Sequence, residues 1–179
     1  ERADILREKG TNRSQFLQGL VDKYTWVSVG SSYVLSDMNA AYLYPQIQQL
    51  TQINTKRRQI CELYARVLSE DFAKKEIEVL KTPAFNTPNY HMFAAVFPTG
   101  EMRNAFIAHM KSVSIVCPFH YVSLHTSPFG ASFYTGKPEA LPGCERLSQR
   151  LVRFPLYYNM LEAEQSYVIK ETRAWLAKQ

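Results

Sequence analysis

Gly30-Ser31-Ser32-Tyr33 forms a small, hydroxyl-rich turn at the mouth of the longest helical pattern in the chain. Small residues, hydroxyls and free N–H groups beside a helix start suit a phosphate group. The same residues also read as an ordinary helix entry, with Ser36 as the N-cap. A second cluster, Cys117-Pro118-Phe119-His120-Tyr121-Val122-Ser123-Leu124-His125, directly follows a strand-like run. His120 and Tyr121 fit a substrate-facing loop, where one ring hydrogen-bonds and the other stacks. A histidine that only satisfies loop backbone is the competing reading. Cys117, His120 and His125 could supply three zinc ligands, but no partner pair of Cys or His stands at ligand spacing elsewhere, so no metal site is expected. His91, at the start of another strand pattern, reads as structural. Lys23, Tyr24 and Trp26 lie in a long polar and aromatic connection, where they either contact a ligand or anchor the loop. No nucleophile–base pair, glycine-rich dinucleotide fingerprint, P-loop or HExxH is present. These residues alone do not name a reaction.

The elements that must carry them follow from periodicity. Residues 1–9 read as the last turns of a helix stopped by Gly10, and 10–35 as a long connection. Residues 30–69 read as a spine, with Leu50, Ile53, Ile60, Tyr64 and Val67 on one helical face. Pro45 has no N–H to donate, so a kink or helix restart is expected there. Strands are expected at 76–80, 91–97, 114–119 and in VRFPL. Helices are expected at 101–112, at 144–151 and from about Asn159, the last burying Val168, Thr172 and Trp175. The order β–β–α–β–α–β–α is an α/β lobe with helices packed on a small sheet. The expected division is 1–69, carrying the spine, and 70–179, the small α/β domain.

Composition bounds the function classes. Of 179 residues, 46% are hydrophobic, 13% aromatic and 21% charged, as in ordinary soluble domains. No apolar run approaches the roughly 20 residues of a membrane span. The charge of +5 and pI near 9.1 favour an anionic ligand. However, Lys56-Arg57-Arg58 and Arg146, Arg150 and Arg153 read as solvated helix faces rather than a nucleic-acid footprint. Three widely spaced cysteines argue for reduced thiols and a cytoplasmic protein. The charged helical start ERADILREKG is unlike a secretory signal and resembles a cut through a larger protein.

Taken together, EKGTNRSQF, VDKYTWVSVGSSYVLSDMNAAYLYPQ, QIN, RR, HMF, HYVSLHTSPFG and RLVRFPLYYNM resemble the sugar-nucleotide aminotransferases of the DegT/DnrJ/EryC1/StrS family, which depend on pyridoxal phosphate. The resemblance is collinear and covers essentially the whole chain. It implies the C-terminal part of a fold-type I aminotransferase: a long spine helix followed by a small α/β lobe. It also implies that the Schiff-base lysine, the aspartate paired with the cofactor ring and most phosphate contacts lie in a first half that precedes Glu1. No catalytic residue is then expected in this chain, and neither Lys9 nor Lys23 replaces the lysine. Many members carry Asn in a GxNYR turn that reaches the cofactor phosphate of a neighbouring subunit. Ser32 stands at that position and Val34 replaces the Arg, so a hydroxyl donor is kept and the cation is lost. His120 and Tyr121 match the HY motif facing the sugar nucleotide, and His125 matches the PLH histidine. Tyr24 and Tyr33 would border the site.

The implied reaction converts dTDP-4-keto-6-deoxyglucose to its 4-amino sugar with glutamate as donor, for lipopolysaccharide or a similar surface polysaccharide. The implied assembly is a homodimer with shared active sites, and the piece alone is expected to be inactive. The rival reading is a free-standing α/β binding or dimerisation module without catalysis.

Overall fold

Ile60, Tyr64, Leu68 and Phe72 recur every four residues and are all buried. That spacing keeps them on one face of a helix, α4 (Leu50–Ala73). In the computed structural model, which describes residues 1–137 and 141–179, the chain divides into two compact units, Glu1–Leu50 and Thr51–Gln179. Almost all of α4 therefore counts with the second unit, whereas the sequence expectation grouped it with the first.

The first unit holds α1 (Arg2–Arg7), α2 (Arg13–Leu17) and α3 (Asp37–Gln48). The connection expected over 10–35 thus carries α2 and two isolated β-bridges, Glu8 to Ser32 and Thr11 to Trp26. Ser36 caps α3 as expected, its hydroxyl accepting the Asn39 N–H at 3.3 Å. The spine is two helices rather than one. Pro45 sits inside α3, and the interruption comes one turn later at Gln49, whose N–H donates to Pro45 O at 3.3 Å. The helix thus tolerates the missing N–H of Pro45 and resets its hydrogen-bond register only afterwards.

The second unit is built on a three-stranded antiparallel sheet, β1 (Glu78–Val79), β2 (Phe93–Val96) and β3 (Leu151–Phe154), with β2 central. Phe93 faces Phe154 across the ladder and Val96 faces Leu151. All four residues of β2 are buried, so both faces of the sheet are covered. One face packs on α4, α5 (Gly100–Ser112) and α7 (Glu162–Leu176) through Phe106, Met110, Val168 and Trp175. Leu147 of α6 (Pro142–Arg150) packs with Ala94, Val96 and Leu151 on the other. The expected inward face of α7 (Val168, Thr172, Trp175) is buried. The α/β class and the expected order hold, with one exception.

Residues 114–119 do not form the expected strand. Ser114 takes a left-handed backbone (φ 61°), and the only ladder-like contact of the segment is one bridge from Phe119 to Val152. Pro118 has no N–H to offer a sheet, though its carbonyl accepts from Arg153 N–H at 2.9 Å. Ile115 and Cys117 are nevertheless buried in the core.

Tyr64 is fully buried, and its hydroxyl donates to Pro155 O at 3.0 Å. Burial pushes its phenol well above the ordinary value, so it stays neutral. Tyr64→Phe leaves that carbonyl without its donor, and we expect a loss of about 1–3 kcal/mol in chemical denaturation. At the start of α7 the Glu164 carboxylate accepts the Leu161 N–H at 2.8 Å. That bond, and then the Tyr157 hydroxyl, hold Glu164 below its usual range. A lowered carboxylate stabilises the fold above its unfolded value, and the contribution fades as pH falls through the folded one. The stability gap between wild type and Glu164→Gln should therefore be present at neutral pH and close in acid, as read by denaturation midpoints across pH.

Candidate functional site

The expected site residues fall into two groups, Tyr24, Ser32 and Tyr33 in the first unit and His120, Tyr121 and His125 in the second. In the first unit two glycines fix the turn. Gly10 is left-handed (φ 77°), and its carbonyl accepts from Val27 N–H at 2.8 Å and Ser28 N–H at 2.9 Å. A Cβ at Gly10 would lie 1.7 Å from Ser28 O, and one at Gly30 would lie 2.1 Å from Gly10 N. The two backbones pass so closely that no side chain fits at either position. Lys9 N–H donates to Ser31 O at 3.2 Å and Ser31 N–H to Leu6 O at 3.0 Å, which presents Ser32 outward. Asn12 pins the rest of the loop: its Oδ1 accepts Thr25 N–H at 2.7 Å and its Nδ2 donates to Lys23 O at 3.2 Å. Ser32 and Tyr33 are exposed, and Tyr24 rests against Phe16 with ring centroids 6.4 Å apart.

In the second unit, residues 118–126 form a loop anchored at both ends. Near its start, Arg153 Nη2 reaches Phe119 O at 3.5 Å, and the Arg103 guanidinium stands 5.8 Å from the Phe119 ring centre. Desolvation lowers the pKa of Arg103. Near its end, His125 packs on Tyr134 with centroids 5.2 Å apart, and its Nε2 lies 3.3 Å from Glu145 Oε1. Between these anchors His120 is half-buried and Tyr121 exposed, their rings edge to face at 5.1 Å. His120 Nδ1 is buried without a hydrogen-bond partner among the described residues. Such an atom costs free energy unless something outside the chain satisfies it.

The zinc reading finds no support in this geometry. Cys117 is buried, which pushes its thiol up to about 12 and disfavours the thiolate a metal needs. Among the described residues no three His, Cys, Asp or Glu side chains are grouped to hold a metal. All three cysteines are free thiols. No helix of the described residues is long and apolar enough to cross a membrane. His91 is exposed, with Nδ1 2.6 Å from Asn89 Oδ1, and lines two concavities of the second unit. These concavities, of about 570 and about 1070 Å³, are not lined by His120, Tyr121 or His125. The candidate residues stand on an open loop instead.

Residues 1–173 match the model of the DegT/DnrJ/EryC1/StrS aminotransferase family. The chain belongs to this family. Among solved structures it is similar to the aminotransferase TlmJ from Streptoalloteichus hindustanus, at 24% identity and a TM-score of 0.79 over 99% of this chain and 44% of that one. It is similar to the PLP-form of Spr1654 from Streptococcus pneumoniae, at 17% identity and TM-score 0.77 over 98% and 42%. It is also similar to Helicobacter pylori PseC, an aminotransferase involved in the biosynthesis of pseudoaminic acid, at 13% identity and TM-score 0.79 over 98% and 45%. The chain spans less than half the length of each, and at these identities the likeness shows the shared fold.

Within this family member, sequence reasoning missed the side chains that hold the loop: Arg103, Arg153, Tyr134 and Glu145. Arg153 had read as part of a solvated face. Glu145 carried no signal beyond being a carboxylate in the first turn of α6, a common helix preference. The Gly10–Gly30 contact yields a paired prediction. Gly10→Ala must break the crossing, which faster amide exchange at Val27 and Ser28 would report. Gly19→Ala meets open space and a φ of 71°, so it should cost only about 1–2 kcal/mol and leave those amides protected.

Proposed function

We propose that this chain is the C-terminal half of a sugar-nucleotide aminotransferase and forms one wall of its active site. The observation that carries the reading is the buried, unpartnered His120 Nδ1 beside exposed Tyr121, on a loop anchored at both ends. In this reading His120 holds a polar group of the sugar nucleotide and Tyr121 stacks on it. Tyr24 and Tyr33, in the first unit, are proposed as further substrate-binding residues of the whole enzyme. The finer reading is amination of dTDP-4-keto-6-deoxyglucose at its keto carbon with glutamate as donor, as in a dTDP-4-amino-4,6-dideoxygalactose transaminase of surface-polysaccharide synthesis. A cytoplasmic site of action and a homodimer with shared active sites belong to the same proposal.

When bound, pyridoxal phosphate supplies the electron sink that amino transfer requires. Ser32 is exposed at the glycine-fixed turn, which supports a place for it at the phosphate edge. Ser32 would donate to a phosphate oxygen as a neutral partner, with no cation at Val34 to add charge. The lysine that moves protons at the reacting carbon would come from outside residues 1–179. An apolar face also supports a larger assembly: no residue of α3 is buried, with Met38 84% and Tyr42 78% exposed.

The test is turnover by the full-length polypeptide with pyridoxal phosphate, glutamate and the keto-sugar nucleotide, followed by mass spectrometry of the amino sugar. Product is expected from the full-length protein and none from residues 1–179 alone. His120→Ala should raise KM for the sugar nucleotide about tenfold with little change in kcat. Amination by residues 1–179 unaided, or cofactor-free turnover by the full-length protein, would overturn the reading.

A further inference from the structure

The loop that carries His120 and Tyr121 contains two histidines in different situations. His120 Nδ1 and His125 Nε2 are both buried and neither makes a hydrogen bond among the described residues, but the His125 side chain, only 8% exposed, has a carboxylate within ion-pair distance. That carboxylate gathers donors from both sides. Glu145 Oε1 lies 3.3 Å from His125 Nε2 and 3.5 Å from Thr126 Oγ1, while Oε2 accepts from Gln149 Nε2 at 3.4 Å. Its neighbour Cys144 places Sγ 3.6 Å from the hydroxyl of buried Ser123. The first turn of α6 therefore grips residues 123–126, and β3 grips 118–119 through Arg153. Only His120, Tyr121 and Val122 lie free between the two grips.

We infer that Glu145 is a positioning residue: it fixes the end of this loop through His125 and Thr126, and so sets where His120 and Tyr121 meet the sugar nucleotide. The clause about substrate rests on the function proposed above; the clause about the anchor does not. His125 then acts through Glu145 and Tyr134 rather than by touching the ligand. Its buried Nε2 makes no hydrogen bond among the described residues, and the Glu145 carboxylate 3.3 Å away is the charged group within reach. An exposed His–Glu contact would be worth little, but here the ring is sheltered, so losing the carboxylate removes the one charged group beside a buried ring nitrogen. The local turn survives without Glu145, because Thr126 Oγ1 also donates to Ser123 O at 3.2 Å and Ser127 Oγ to Leu124 O at 2.7 Å. What is lost is the tie to α6.

Two readouts in the full-length protein test this with Glu145→Ala and Glu145→Gln. The first is amide hydrogen exchange over residues 119–126, which needs no substrate. Exchange should speed up about tenfold in Glu145→Ala and stay near wild type in Glu145→Gln, whose amide oxygen still offers Nε2 an acceptor. The second is steady-state kinetics. In Glu145→Ala, KM for the sugar nucleotide should rise about tenfold, with kcat and the KM for the amino donor within about twofold of wild type. Unchanged exchange in Glu145→Ala overturns the anchor. Faster exchange with an unchanged KM overturns its role in substrate placement, as does an equal loss of kcat and of both substrates' binding. A wild-type protein that aminates no keto sugar defeats the proposed reaction, while the exchange result still decides the anchor.

Discussion

The second unit depends on the burial of one ring, that of Phe154 at the end of β3. It stands 5.8 Å from Tyr64, 5.9 Å from Phe72, 5.5 Å from Phe93 and 5.6 Å from Phe106. Its neighbours come from α4, β2 and α5, so seating this ring seats three elements at once. Tilted and edge-on aromatic contacts are directional, and a core made of them has few equivalent arrangements. Arg153 immediately precedes Phe154, and its N–H and guanidinium hold Pro118 O and Phe119 O. The geometry of the candidate loop therefore descends from the packing of the core beside it.

The first unit follows a different logic. It has almost no apolar core; its buried polar side chains are Thr11 and Asn12. What fixes its path is backbone against backbone at Gly10 and Gly30, with Asn12 satisfying both an N–H and a C=O of the neighbouring loop. Hydrogen bonds of this kind define a shape but contribute little net stability. Trp26, Val29 and Tyr33 are each more than 70% exposed.

Within the candidate loop, the two histidines separate roles that a motif merges. His125 has a carboxylate of its own chain beside it and His120 has none. A carboxylate within ion-pair distance can tie a ring to its own chain, and a ring without one is left to other contacts. This division follows from distances to Glu145, twenty positions along the chain from His125.

The sequence by itself determined the α/β class, the Ser36 cap, the inward face of α7 and the family, but only part of the inward face of α4: Ile60 and Tyr64 are buried as expected, whereas Leu50 is exposed, Ile53 and Val67 are half-buried, and Leu68 and Phe72 complete the face instead. These rest on local chemistry and on periodicity: a hydroxyl before a helix, apolar residues every three or four positions, and motif residues in collinear order. Gly10 and Gly30 were each visible as special residues. Only the tertiary structure decided that they face each other, that 114–119 is not a strand, and that the carboxylate of Glu145 meets His125. The physical reason is range. Capping and periodicity act over one or two turns, whereas a steric contact between Gly10 and Gly30, or a carboxylate brought to a buried imidazole, exists only once distant segments have been packed together.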